Sequence, residues 1–205
     1  MIGQKFRQFI AYFLLLCIAS CIVSKDPQRK YVRLLQKGKI KEDLSYVYGL
    51  PFGPGKSHLI VQGYFSRFSH KNRIAVDIKM KKGTKVCAAR DGVVVRVVEN
   101  NTRGGWSKKN LPYANLIVIQ HANGMRTGYW HLQHNGALVN VGDTVKRGQV
   151  IGLSGRTGYT AFPHLHFLAW KFNPQGNWKQ VPTRFHTSKE DGYLRVLRRY
   201  RKNPK

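Results

Sequence analysis

Short apolar runs separated by turn residues fill the sequence between residues 59 and 170, and they constrain the fold more than any other feature. Runs of four to eight residues punctuated by glycine and asparagine are typical of strands. The runs lie at 59–62, 74–80, 85–89, 92–98, 116–120, 126–132, 150–154 and 164–170. They predict an all-β fold, a small antiparallel sheet or open barrel-sandwich, with long loops around a groove. The loop at 99–114 is either a groove wall or a mobile hairpin.

Two of these runs alternate clearly enough to assign their faces. In 74–80, Ile74, Val76 and Ile78 share one face, so Asp77 is predicted to point outward from the other. In 164–167, the same alternation turns Leu165 and Phe167 into the core and projects His164 and His166 together. Paired imidazoles on one rigid face suit a metal site, although a bare His-x-His pair is equally typical of a hydrogen-bonded surface strand.

The N-terminus has the pattern of an export signal. Lys5 and Arg7 precede an apolar run at 9–18, which is short for a membrane span. The run ends in Ile-Ala-Ser before Cys21, which resembles the bacterial lipobox, where the cysteine is lipidated and becomes the mature N-terminus. The alternatives are an uncleaved anchor and an ordinary signal peptide. We therefore predict a lipoprotein signal peptide at 1–20.

Composition divides the remainder of the chain. Residues 21–45 are polar and basic and are predicted to form a tether, 46–182 form the globular domain, and 183–205 form a basic tail. The tail is predicted to be either a short amphipathic helix or a frayed end.

The charge of the chain indicates a polyanionic neighbour. The sequence holds 36 Lys and Arg against 9 Asp and Glu, a formal net charge of +27. Nucleic acid and an anionic cell envelope both fit this charge. The export signal, and the lack of any recognisable nucleic-acid motif, favour the envelope and argue against nucleic acid.

A hydrolytic zinc site needs three protein ligands, an open position and acid/base groups nearby. His166 and Asp77 are candidate ligands on predicted strands, and His70, which precedes the strand of Asp77, is a candidate third. His164 and His131 then remain for proton transfer.

Several further motifs occur in a fixed order along the same region. They are Gly-Thr-Lys-Val at 83–86, Ala-Ala-Arg-Asp-Gly-Val-Val at 88–94, Tyr-Trp-His-Leu at 129–132, Val-Gly-Asp-Thr-Val-Lys-Arg-Gly-Gln-Val-Ile-Gly at 141–152, Gly-Arg-Thr-Gly at 155–158 and Pro-His-Leu-His-Phe at 163–167. Together they resemble the lysostaphin and LytM type of bacterial cell-wall metallopeptidase over about residues 60–170. The resemblance implies a small antiparallel β fold, the duplicated hybrid motif, with a zinc site in a groove.

The resemblance also implies the activity and the residue roles. It implies one zinc ion per chain, held by His70, Asp77 and His166, and hydrolysis of peptide bonds in peptidoglycan. His131 and His164 match the two catalytic histidines of the family, which flank the attacking water and the oxyanion.

The sequence departs from the family pattern in two places. Many members have three residues between the first histidine and the aspartate, whereas six separate His70 from Asp77, and His58 is an alternative ligand. Members usually have glutamate where this chain has Leu168, which would share a face with His166 and could orient a ligand.

Two functions follow from the resemblance, an active zinc endopeptidase of peptidoglycan and a non-catalytic member that binds wall or regulates another hydrolase. The retained ligand and catalytic positions favour the enzyme. The predicted lipid on Cys21 would anchor the chain in the cell envelope, and in a two-membraned envelope Ile22 favours the outer membrane, facing the periplasm.

Overall fold

The computed structural model describes residues 26–41, 46–173 and 175–204. The predicted signal peptide and Cys21 lie outside the described residues. No helix in the described part of the chain has the length and apolar character needed to cross a membrane.

Strands dominate these ranges, which confirms the all-β prediction. There are one α-helix, α1 (Gln28–Gln36), and a 3-10 helix, Lys108–Tyr113. The strands in chain order are β1 (Val47–Gly49), β2 (Ser57–Gln62), β3 (Ala75–Lys79), β4 (Lys85–Cys87), β5 (Gly92–Val98), β6 (Gly104–Gly105), β7 (Asn115–Gln120), β8 (Arg126–Ala137), β9 (Thr144–Val145), β10 (Val150–Ser154), β11 (Gly158–Tyr159), β12 (His164–Phe172), β13 (Trp178–Val181), β14 (Arg184–His186), β15 (Asp191–Tyr193) and β16 (Arg199–Arg201).

The main sheet is antiparallel and has β12 near its centre. Its strands follow the order β16, β2, β3, β12, β8, β7, β5, β9, while β10 joins β4 to β8 and β13 extends along β12. A second sheet has the order β1, β14, β15, and β6 pairs with β11. Each predicted run coincides with one of these strands, because period-2 patterns and turn residues report strand positions directly.

Both faces of the main sheet are covered. The larger apolar cluster takes alternate residues of the central strands, including Val76, Ile78, Leu165 and Phe167. A smaller cluster on the other face contains Leu168 and other side chains, namely Ala75, Leu116, Val118 and Trp170, with Trp130 packed against it. His164 and His166 both reach Asp77 on the face of Leu168, while Leu165 and Phe167 lie in the larger cluster, so the predicted alternation is confirmed.

The predicted outward position of Asp77 is wrong. Its side chain is on the second face, as expected from the alternation, but only 2% of the residue is exposed. The loop between β2 and β3, which carries His70, covers it, and His70 lies 3.3 Å from its carboxylate.

The predicted C-terminal helix or frayed end is also wrong. Residues of this segment form β14, β15 and β16, and β16 pairs antiparallel with β2. Phe185 and Leu194 are fully buried in the larger cluster. The segment after residue 182 therefore packs as part of the folded unit.

The predicted tether contains structure as well. Within its described part, α1 buries Val32 and Leu35, which are three positions apart and share one face of the helix. Val32 joins the larger cluster, and the Arg195 guanidinium donates to the Gln36 carbonyl. This helix is thus attached to the domain by apolar and polar contacts.

Candidate metal centre

Strand β12 places His166 between the two strands that complete the site. In the sheet register, His166 lies opposite Asp77 of β3 and opposite Trp130 of β8. Side chains directly opposite in antiparallel strands project to the same face, so the register alone brings His166 beside the carboxylate. The Trp130 ring packs edge-on against the His166 ring, with centroids 5.8 Å apart.

Three buried donor atoms converge at this point. His166 Nδ1 lies 2.8 Å from Asp77 Oδ1, His70 Nε2 lies 3.3 Å from the same oxygen, and the two nitrogens are 3.2 Å apart. In the described part of the chain, His70, Asp77 and His166 are the group of histidine, cysteine and acidic residues whose ligand atoms all lie within 4.8 Å of one another.

The donor set fits a zinc ion. Two imidazole nitrogens and a carboxylate oxygen this close repel one another unless a proton or a cation lies among their lone pairs. Tetrahedral zinc, with bonds of about 2.0–2.2 Å, places neighbouring ligand atoms about 3.3 Å apart, close to the spacing found here. His70 Nδ1 donates to the Gly63 carbonyl at 3.2 Å, which leaves Nε2 unprotonated and aimed at the cluster.

The protonation of the cluster also suits a cation. Burial raises the pKa of Asp77, but its electrostatic interaction with His70 and its hydrogen bond with His166 outweigh burial, so the pKa lies well below its ordinary value. Burial lowers the pKa of His166 to about 4, although Asp77 acts in the opposite direction. An ionised carboxylate and a neutral imidazole are the forms that bind metal.

His164 faces the same cluster from one strand repeat away. Its Nδ1 donates to the Phe162 carbonyl at 2.9 Å, and Thr160 Oγ1 lies 3.1 Å from the same nitrogen. Its Nε2 lies 3.6 Å from Asp77 Oδ1. The backbone carbonyl therefore engages Nδ1 and directs Nε2 toward the donors.

A bulge in β8 turns His131 to the site. The pairing of β7 with β8 shifts register between Asn115 and Leu116, so His131 is an extra residue between Trp130 and Leu132. Its φ of 65° is in the left-handed region, which non-glycine residues rarely adopt. This conformation brings the His131 ring to 4.7 Å from the His164 ring.

A backbone carbonyl fixes His131 in the same manner as His164. Its Nδ1 donates to the Thr157 carbonyl at 2.7 Å. Burial, followed by the charges of His164 and His166, lowers the pKa of His131 to about 3. The His131 and His164 rings therefore each have Nδ1 engaged by a backbone carbonyl, which leaves Nε2 as the nitrogen open to other partners.

The structure does not bring the alternative ligand His58 to the cluster. Its Nδ1 donates to the Lys79 carbonyl at 2.9 Å, and its ring packs on Phe52. Leu168, where the family pattern has glutamate, lies in the smaller apolar cluster, so His166 is supported on this side by packing rather than by a carboxylate. Sequence reasoning missed the carbonyls of Thr157 and Phe162, because backbone groups have no residue-type signal.

The sequence comparison decides the family. Residues 69–181, more than half of the chain, match the model of Peptidase family M23. The chain belongs to peptidase family M23. The predicted resemblance to lysostaphin and LytM type enzymes is thereby confirmed.

Named M23 relatives share part of this chain. It is 46% identical over 92 residues to the peptidoglycan DD-endopeptidase ShyA of Vibrio cholerae, covering 44% of this chain and 18% of that protein. It is 37% identical over 114 residues to the glycyl-glycine endopeptidase ALE-1 of Staphylococcus capitis, covering 56% and 29%. The chain thus spans less than a third of the length of these curated relatives.

Among solved structures, the catalytic domain of lysostaphin from Staphylococcus simulans is 32% identical and has a TM-score of 0.42. The match covers 66% of this chain and 88% of that one.

Proposed function

We propose that this chain is a zinc-dependent endopeptidase that hydrolyses peptide bonds in the stem or cross-bridge peptides of bacterial peptidoglycan. The observation that carries the proposal is the convergence of three buried donor atoms with two further histidines whose tautomers are fixed by backbone carbonyls. Membership of family M23 supports it, as do relatives named as peptidoglycan and glycyl-glycine endopeptidases.

One zinc ion would be held by His70 Nε2, Asp77 Oδ1 and His166 Nδ1. When bound, zinc lowers the pKa of water and polarises a carbonyl, which are the two requirements of peptide hydrolysis at neutral pH. The Gly63 carbonyl keeps the lone pair of His70 directed inward, and the edge of Trp130 fixes the orientation of His166.

His131 and His164 would move the protons. Their Nδ1 hydrogens are engaged by the Thr157 and Phe162 carbonyls, so each ring accepts a proton at Nε2. A ring that has taken the proton of the attacking water can return it to the leaving amine. Its N–H can also donate to the oxyanion that develops on the scissile carbonyl.

We also propose that the chain acts in the cell envelope, anchored by a lipid on Cys21 after removal of residues 1–20. The pattern of basic, apolar and small residues before Cys21 supports this anchor. The net charge of +27 supports peptidoglycan, rather than nucleic acid, as the anionic partner of an exported protein.

The test is a digestion of purified peptidoglycan by the zinc-loaded full-length chain, with fragments identified by mass spectrometry. We expect new amine termini within stem or bridge peptides, lost with a chelator and with His166→Ala. His134→Ala is the matched control, since His134 is an exposed histidine of the same strand as His131.

Intact peptides after incubation with a wall-bound, zinc-loaded chain would contradict the enzymatic proposal and support the non-catalytic alternative. Tight, salt-sensitive binding to DNA without affinity for wall would contradict the proposed partner.

A further inference from the structure

Gln62 joins one donor residue, Asp77, to the loop that carries another, His70. It is the last residue of β2 and lies opposite Asp77 in the sheet register. Its Nε2 donates to Asp77 Oδ2 at 2.7 Å and to Ser69 Oγ at 2.9 Å. Its Oε1 accepts from the Ser69 backbone N–H at 3.1 Å and from Ser66 Oγ at 3.3 Å.

The partners of this amide determine which way it points. A backbone N–H can only donate, so the atom facing Ser69 N is the amide oxygen. An ionised carboxylate can only accept, so the atom facing Asp77 Oδ2 is the amide nitrogen. A reversed amide would place oxygen against carboxylate and nitrogen against N–H.

The consequence for the donors is direct. With Oδ2 of Asp77 bound by Gln62, the other oxygen, Oδ1, faces His70 and His166. The same amide holds Ser69, the residue immediately before His70. Gly63, the residue after Gln62, accepts the Nδ1 hydrogen of His70 through its carbonyl. The end of β2 therefore orients both the carboxylate and the imidazole that reaches the cluster from a loop.

The spacing of the ligands explains why hydrogen bonds from Gln62 to the loop of His70 are needed. Six residues separate His70 from Asp77, so His70 lies in the loop between β2 and β3, where the sheet ladder does not hold it. A loop residue has more conformations to lose on binding a ligand than a strand residue has. Hydrogen bonds to the loop restrict those conformations before the metal binds.

We propose that Gln62 is a positioning residue that sets the metal affinity of the site by fixing Asp77 and the His70 loop in the binding geometry. This inference rests on the proposed zinc centre. Hydrogen-bonding partners of metal ligands typically contribute a factor of about 10–100 in affinity.

The test is the equilibrium zinc affinity of the full-length chain, measured by competition with a chromophoric chelator. Gln62→Leu removes all four hydrogen bonds, and we expect zinc to bind about 10–100-fold more weakly. Ser69→Ala removes only the contact between Nε2 and Oγ, so a smaller loss is expected. This milder variant keeps the test decisive if Gln62→Leu does not fold.

Gln180→Leu is the matched control. Gln180 is also partly buried, and its Oε1 accepts the Ile74 N–H near the start of β3, but no hydrogen bond joins it to a donor residue of the cluster. We expect Gln180→Leu to lower the thermal unfolding midpoint of the apo chain while zinc affinity stays at the wild-type value.

Unchanged zinc affinity in Gln62→Leu would overturn the inference, whatever its effect on stability. An equal loss in Gln180→Leu would also overturn it, because the effect would then come from general destabilisation. If the affinities change as expected but wild type cleaves no peptidoglycan, the endopeptidase proposal fails alone. A wild-type chain that binds no zinc would overturn both.

Discussion

Replacing Phe185 with alanine should destabilise the fold by about 3–5 kcal/mol. Phe185 belongs to β14 and is fully buried, with its ring 5.5 Å from Phe167 and 6.3 Å from Tyr48. Burying a phenylalanine contributes about 1.5–3 kcal/mol, each aromatic pair adds about 0.5–1.5 kcal/mol, and the cavity left behind adds a further cost. Because Phe167 follows His166 in β12, the same contact packs against the face of β12 opposite His166.

Urea unfolding of the full-length chain measures this effect. With a slope of about 2 kcal/mol per molar urea, the midpoint should fall by about 2 M at unchanged slope. Leu197→Ala is the control from the same segment, since Leu197 is 79% exposed and its truncation should stay within about 0.5 kcal/mol. A change below about 0.5 kcal/mol in Phe185→Ala would refute the reasoning and show that the segment after residue 182 is a detachable tail.

Three further predictions concern titration, positioning and metal. Burial lowers the pKa of His121 from 6.5 to about 4, so the unfolded chain binds this proton at a higher pH than the folded chain, and protonation favours unfolding as pH falls. Between pH 6.5 and pH 4, the free energy of unfolding of His121→Gln should therefore fall by up to about 3 kcal/mol less than that of wild type, measured by urea unfolding at each pH. In Gly104→Ala, the new Cβ would clash with the Arg156 carbonyl and displace Thr157. Because the Thr157 carbonyl holds His131, turnover should fall while bound zinc is retained. Gly192→Ala is the control, since a Cβ there meets open space and the variant should match wild type. Free zinc at about 1,000 times its Kd should stabilise the chain by about 4 kcal/mol, measured by urea unfolding, and a chelator should remove this gain. The first prediction is contradicted if His121→Gln and wild type show the same dependence of stability on pH. The second is contradicted if Gly104→Ala keeps wild-type turnover, and the third if the unfolding midpoint does not depend on zinc.

Strand positions were predictable because their signal is local. Alternation in 164–167 predicts which side chains share a face without any knowledge of the partner strands. The outward position of Asp77 was wrong for the same reason, since alternation says nothing of the loop that covers that face.

Elements that depend on distant pairing were not predictable. Strands β14, β15 and β16 have three residues each, too few to show a period, and they exist through pairing within their sheets. Helix α1 had a readable signal in the spacing of Val32 and Leu35, which the basic composition of the segment obscured. The sequence held no signal for the role of Gln62, because a glutamine at a strand end is usually exposed.

Sequence motifs placed His70, Asp77 and His166 together, along with the two further histidines, only through the family resemblance. Spacing alone could not choose between His70 and His58, which the structure separates by their contacts. The bulge that turns His131 to the site depends on a register shift between two strands, which the sequence of one strand does not show.

The central claim is a division of work between the paired histidines of β12, in which His166 binds the metal and His164 moves a proton. The most direct test measures zinc content and peptidoglycan turnover in His166→Ala and His164→Ala side by side. The account predicts that His166→Ala loses both zinc and turnover, while His164→Ala retains about one zinc ion per chain and loses turnover. Loss of zinc from His164→Ala, or retention of zinc in His166→Ala, would contradict the assignment.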